Sequence, residues 1–253
     1  MDILANLERV QVQMTAAARR AGRDPAEVTL VAVTKTQPLA ALQAAYRAGV
    51  RHFGENRVEE GGPKRVEFAT WLAQGGAGEP PTWHMIGHVQ HRKAGAALQF
   101  DLIHSVDSLR LAERLDRLAA PDARRVPVLL ECNVSGEASK AGFAVSGWQR
   151  DRAARSDFFA TVRQIVRLSR LRLEGLMTMA PIVAEAEETR PVFASLRALR
   201  DALRQEVPDV TWQHLSMGMT DDYPVAIEEG ATLVRVGTAL FGERSRSEPA
   251  GGG

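Results

Sequence analysis

Thr29-Leu30-Val31-Ala32-Val33-Thr34-Lys35 is the stretch on which the reading of this chain turns. Its apolar residues run without a polar break from 30 to 33, the pattern of a strand buried on both faces in a parallel sheet. Lys35, which ends the run, is one of only four lysines, with Lys64, Lys93 and Lys140, against twenty-eight arginines. Arginine keeps its proton and forms no imine, whereas a desolvated lysine can lose its proton and add to a carbonyl. A chain that builds its cationic surface from arginine has kept Lys35 for another use, so Lys35 is the candidate Schiff-base residue. The competing account is a strand-end lysine that snorkels to solvent.

Upstream, Ile3, Leu4, Leu7, Val10, Met14 and Ala17 recur at helical spacing until Gly22 and Pro25, which predicts an N-terminal helix before the first strand. Downstream, β-rich runs near 51–54, 82–86, 101–105, 126–134, 173–177, 211–215 and 232–236 bring the strand candidates to eight. Helical patterns fill the intervals, clearest at 38–48, 107–119, 157–170, 189–206 and 222–229. Alternation of this kind implies parallel pairing through crossovers, and eight units in this length fit a closed (β/α)8 barrel, with a doubly wound sheet as the alternative. Gly61-Gly-Pro63 is expected to interrupt the helix after the second strand. Residues 1–244 read as one domain and Ser245 to Gly253 as a disordered tail, with a second low-complexity piece at 75–81.

The balance of charge narrows the function classes. With 32 basic against 31 acidic residues the net charge is +1, which indicates no partner of nucleic acid or acidic membrane. Six arginines between Arg150 and Arg170 have no interleaved aromatic platform and read as an exposed helix face. Cys132, the single cysteine, lies in an apolar run and reads as inert packing. No apolar stretch approaches the roughly 20 residues needed to span a bilayer, and Asp2, Asn6, Glu8 and Arg9 break any leader-like region. The expectation is a cytoplasmic monomer.

In a barrel of this kind the chemistry sits at the carboxyl ends of the strands. There lie Lys35 after the first strand, Glu55 and Asn56 after the second, Ser105, Asn133 and Thr178 after later ones, and Ser216 after the seventh, while His84 lies in the third and Arg235 in the eighth. The last two connections carry Gly218 and Gly237, whose backbone N–H groups could approach an anion, and Ser216 and Thr238 as hydroxyl donors. Taken singly these are ordinary turn and cap residues; their placement on adjacent strands points to a phosphate. Arg235, between Val234 and Val236, needs an acceptor if buried, either a ligand or a structural ion pair. An amine for a carbonyl, donors for a phosphate and a cation near a ring suit pyridoxal 5′-phosphate (PLP).

Thr34-Lys-Thr36, Phe53-Gly-Glu-Asn56, His84-Met-Ile-Gly-His88, Ser139-Lys-Ala-Gly142, Gly175-Leu-Met177, Leu215-Ser-Met-Gly-Met219 and Arg235-Val-Gly-Thr238 together resemble the pyridoxal phosphate homeostasis proteins. The resemblance covers nearly the whole chain. It implies a fold-type III barrel like the N-terminal domain of alanine racemase, with PLP held as an internal aldimine on Lys35. By the same likeness Ser216, Gly218, Gly237 and Thr238 match phosphate contacts, Arg235 faces the pyridine nitrogen, and Asn56, His84 and Met177 line the pocket. Cofactor binding and delivery to PLP-dependent apo-enzymes is implied, without an established turnover. An arginine at the ring nitrogen disfavours its protonation and weakens electron-sink chemistry, and only eleven residues follow Gly242, where a racemase would continue into a second domain.

Thr220 stands where the family usually has serine, and Gln90-His-Arg-Lys93 departs from the usual run. His84, His88 and His91 do not share a helical face, so no metal site is expected. Asp221 and Asp222 read as solvated helix caps. Two other readings stand beside the carrier: a PLP-dependent enzyme acting on amino acids, racemase-like, and a cofactor-free class I aldolase using Lys35.

Overall fold

The computed structural model describes residues 2–75, 78–120 and 125–242. Asp2 caps the first helix by accepting from the Ala5 N–H at 3.0 Å, and α1 (Ile3–Arg20) precedes the first strand. There follow β1 (Thr29–Val33), α2 (Leu39–Arg47), β2 (His52–Glu55), α3 (Val58–Ala73), β3 (Thr82–Met85), α4 (Ala94–Ala97), β4 (Leu102–Val106) and α5 (Leu109–Leu118). The second half comprises β5 (Val126–Asn133), β6 (Phe143–Ala144), α6 (Arg152–Val166), β7 (Leu171–Met177), α7 (Arg190–Glu206), β8 (His214–Ser216), α8 (Tyr223–Glu228), β9 (Leu233–Val236) and α9 (Thr238–Phe241).

All pairings are parallel, in the order β4-β3-β2-β1-β9-β8-β7-β5, and β4 pairs with β5 to close the ring. The two-residue β6 flanks β5 alone. Eight strands with a helix after each make a closed parallel barrel, as the alternation of patterns predicts, and the doubly wound sheet is excluded by the β4–β5 pairing. Side chains alternate between two cores. The larger core lies between strands and helices, while Val31, Leu102, Leu129, Met177 and Leu233 pack inside the barrel. α1 and the connection after it tie the last two units to the first: Asn6 Nδ2, in α1, donates to Leu240 O at 2.9 Å, and Arg23 Nη1, beyond the helix end, to Ile227 O and Ala231 O at 2.7 and 2.9 Å. Among the described residues no helix is long and apolar enough to cross a membrane.

Several expectations need correction. α3 runs unbroken through Gly61-Gly62-Pro63. A Cβ on Gly61 would lie 2.6 Å from Phe100 Cζ and 2.9 Å from Glu55 Cβ, and one on Gly62 would lie 2.9 Å from Gln99 Nε2. These glycines let the helix approach its neighbours, and burial of Val58 and Phe68 outweighs the lost propensity. The seventh strand of the barrel is shorter and later than 211–215. Trp212 sits at φ +48° with its indole donating to Val207 O at 3.0 Å, so its bulk fills the core from a turn. α4 and β6 are too short to leave a periodic signal. The tail 245–253 and residues 76–77 of the glycine-rich piece lie outside the described residues.

Candidate functional site

β1 delivers Lys35 to the carboxyl rim, and the residues on either side of it are fastened. Thr34 N donates to Gly54 O at 2.9 Å and Thr34 Oγ1 to Glu55 Oε1 at 2.7 Å. Lys64 Nζ, from α3, donates to Thr34 O at 2.6 Å, to Glu60 Oε1 at 2.6 Å and to Glu55 Oε1 at 3.1 Å. Thr36 takes φ +63°, an uncommon region for a threonine, and its N–H is held by Glu60 Oε1. Burial pushes the Glu55 carboxyl above its usual range, against the pull of Thr34 and Lys64. Lys64, Lys93 and Lys140 all pair with glutamates, at Glu55 and Glu60, at Glu59 and at Glu137. Lys35 makes no ion pair or side-chain hydrogen bond among the described residues, on a half-buried side chain.

Arg235 enters from β9, where it pairs in register with Val31. It is 3% exposed, and its partners are neutral: Nη1 donates to Ser216 Oγ at 2.7 Å, and Nη2 to Thr178 O at 2.9 Å and Met179 Sδ at 3.1 Å. The structural ion pair considered for it is not formed among the described residues. Burial lowers its guanidinium to about 10, with Asp222 and Glu131 acting in the opposite sense, so it is cationic at neutral pH.

The two glycine-bearing connections lie beside Lys35's strand. Gly237 follows β9, and a Cβ there would fall 3.4 Å from Val33 Cβ; its N–H points to Thr220 Oγ1 at 3.4 Å. Thr238 is exposed at the start of α9. Gly218 takes φ +90°, and a Cβ there would meet Ala226 Cβ at 2.6 Å and Tyr223 Cα at 2.9 Å, so the glycine answers to the approach of α8. Asp222 is buried and accepts from Met219 N at 2.6 Å, which corrects the expectation of a solvated cap; burial raises its carboxyl.

Of the expected site residues, Lys35, Asn56, Gly218, Arg235, Gly237 and Thr238 gather at the carboxyl ends of β1, β2, β8 and β9. Asn56 Oδ1 is buried with no hydrogen-bond partner among the described residues, an orphan that an added donor would satisfy. Ser216 lies deeper, wholly buried, its hydroxyl shared between Arg235 and His104 at 2.7 and 2.8 Å. His84 also lies inside the barrel, both ring nitrogens engaged by histidines, and Met177 belongs to the inner apolar cluster. His88 pairs with Asp107 at 3.1 Å, apart from His84, and no group of three metal-ligating side chains occurs among the described residues.

Sequence reasoning missed four residues. Thr220 faces the Gly237 N–H, and Met179 touches Arg235. His104 holds Ser216. Glu131, near the end of β5, is 6% exposed with Oε2 unpartnered among the described residues; burial and then Asp107 raise its carboxyl to about 6. A period-two reading of β4 and β5 finds His104 beside inward Leu102 and Glu131 beside inward Leu129. A polar residue on an inward position is the signal.

Residues 5–245 match the alanine racemase N-terminal domain, so fold and rim define a barrel protein of that class. Alanine racemase from E. faecalis superposes at a TM-score of 0.62 over 97% of this chain and 59% of that one, at 15% identity, a likeness of fold. The chain belongs to the pyridoxal phosphate homeostasis protein family: it is 41% identical to the Pseudomonas aeruginosa protein of that name over 98% of both chains. PipY of Synechococcus elongatus, solved without PLP, shares 38% identity at a TM-score of 0.79, covering 95% of this chain and 100% of PipY. PipY has also been solved with PLP bound, and that form aligns at 37% identity and a TM-score of 0.76 over the same shares.

Proposed function

We propose that this chain binds PLP at the carboxyl rim of the barrel and holds and hands on the cofactor to PLP-dependent apo-enzymes without turning over amino acids. Lys35 is the residue that would carry the aldehyde carbon. Gly218, Gly237 and Thr238 would hold the phosphate, with Thr220 beside them, and Arg235 would face the ring nitrogen. Asn56 would offer its orphaned oxygen to the ligand, with His84 and Met177 forming the floor. Ser216 would contribute through Arg235, since its hydroxyl is already engaged by that arginine and by His104. When bound, PLP supplies a conjugated aldehyde that an amine captures. The residues fit it: an amine, a guanidinium and a buried amide oxygen converge on one rim, and among the described residues the first two have no carboxylate paired to them and the third has no donor.

The absence of turnover is argued from Arg235. A charged donor at the ring nitrogen opposes protonation there, which weakens stabilisation of a carbanion. Glu131 favours a second reading, since a carboxyl raised to about 6 is poised as an acid or base for a racemase-like reaction.

The observation that carries the main reading is Lys35, which among the described residues has no acidic partner while the other three lysines each have one. Borohydride reduction of the PLP-treated protein followed by peptide mass spectrometry tests it. The expected result is a pyridoxyl-phosphate increment on the Lys35 peptide and, in Lys35→Ala, loss of the yellow colour, while the ligand-free variant keeps the melting temperature of ligand-free wild type. An increment confined to another lysine would refute the assignment. Deuterium exchange at Cα of added amino acids, lost in Glu131→Gln, would favour the racemase-like reading.

A further inference from the structure

His52 on β2, His84 on β3 and His104 on β4 project into the barrel from successive strands, and their rings meet in series. His52 Nδ1 lies 2.9 Å from His84 Nε2, and His84 Nδ1 lies 2.9 Å from His104 Nε2. His104 Nδ1 is 2.8 Å from Ser216 Oγ, which in turn is 2.7 Å from Arg235 Nη1. The line runs from the half-buried foot of β2 to the cation of the candidate site.

Its direction follows from donor and acceptor inventories. A guanidinium has hydrogens and no lone pair to offer, so Arg235 donates and Ser216 Oγ accepts. Ser216 is wholly buried, and among the described residues its hydroxyl has one other partner, His104 Nδ1. The hydroxyl hydrogen therefore goes to His104 Nδ1; any other orientation leaves a buried donor without an acceptor. His104 then carries its hydrogen on Nε2 and gives it to His84 Nδ1. By the same step His84 donates from Nε2 to His52 Nδ1, and His52 keeps its hydrogen on Nε2. The reverse direction would aim two hydrogens at Ser216 Oγ and strand its own. Burial favours uncharged rings along the whole line, lowering His84 to about 3, with His52 and His214 adding to the effect. His104 is lowered well below the usual range by burial, His84 and Arg235, and His52 is lowered by burial and His214.

We propose that His52, His84 and His104 form a neutral, one-way hydrogen-bond relay, each ring in its Nε2–H form, and act as positioning residues that orient the Ser216 hydroxyl and, through it, Arg235. The positioning role rests on the reading of Arg235 as a ligand contact; the direction of the relay does not.

Long-range proton–nitrogen correlation on ligand-free protein labelled with nitrogen-15 histidine tests the direction, the six rings being assigned by single substitutions. Expected are a bare Nδ1 and a protonated Nε2 on all three rings at neutral pH. An Nδ1–H form, or a charged ring, at any of the three overturns the relay. The role is tested on PLP-loaded protein with His52→Phe, which removes the terminal acceptor, and with His52→Gln, whose amide oxygen restores one. His52→Phe should raise the PLP dissociation constant roughly threefold to tenfold, as the loss of one hydrogen bond implies, and mix the tautomers of His104, while His52→Gln restores both. Should the phenylalanine variant not fold, His52→Ala replaces it. An unchanged dissociation constant and an unmixed His104 in the folded variant would overturn the positioning role. Because the first measurement needs no ligand, a wild-type protein that takes up no PLP would count against the proposed function and leave the relay's direction to be judged separately.

Discussion

Glu131 and Lys35 show what a single position can and cannot declare. Lys35 is legible because it breaks a composition: a lysine among arginines, closing an apolar strand. Arg235 is legible for a similar reason, as a charge within an apolar run. Glu131 hides because an acid near a strand end is unremarkable until burial and the unpartnered Oε2 are seen. Its carboxyl is raised from the ordinary 4.5 to about 6, so the folded chain holds that proton more tightly than the unfolded chain does. Stability from this group is then complete below about pH 4.5 and is lost as the pH rises through about 6. In ligand-free protein Glu131→Gln should match wild type in acid and exceed it by about 2 kcal/mol at neutral pH, measured by urea unfolding across the range. An equal stability at both ends would remove Glu131 from the set of buried acids.

Elements are decided by their neighbours as often as by their own residues. Gly61-Gly62-Pro63 reads as a break in one dimension, and only the nearness of Phe100, Glu55 and Gln99 explains why α3 continues with glycines there. The relay histidines escape a linear reading in the same way, because their meeting depends on the register of three strands. Gly61→Ala gains about 1 kcal/mol of helix propensity but drives a methyl to within 2.6 Å of the Phe100 ring, and overpacking of this kind costs about 1–3 kcal/mol. The variant should be less stable than wild type by thermal unfolding. Gly95→Ala is the control: in α4 the added methyl meets only Leu118 Cδ1, at 3.7 Å, and stability should rise by about 0.5–1 kcal/mol. A stabilised Gly61→Ala would show that α3 stands further from Phe100 and Glu55 than close packing requires.

Across the whole molecule, the eight alternating units were readable because each crossover repeats one strand and one helix. What alternation could not give is the way the connection after α1 fastens the last barrel units to the first. Arg23 reaches Ile227 O and Ala231 O on either side of the turn that leads into β9, so Arg23→Ala strips two carbonyls of a charged donor. A loss of about 2–4 kcal/mol is expected, with faster hydrogen exchange in α8 and β9 than in β3 or β4. Uniform exchange across the barrel would mean that Arg23 does not act as a local fastener.

The neutral company of Arg235 carries a further implication for the protein as a folded object. Its positive charge, enclosed beneath the rim with a hydroxyl, a carbonyl and a thioether, is left without a counter-ion in the described residues. An anionic guest would bring its charge to a cation that Asp222 and Glu131 offset without pairing with it. Occupancy and thermal endurance should accordingly rise together, the melting point climbing with guest concentration as mass action requires.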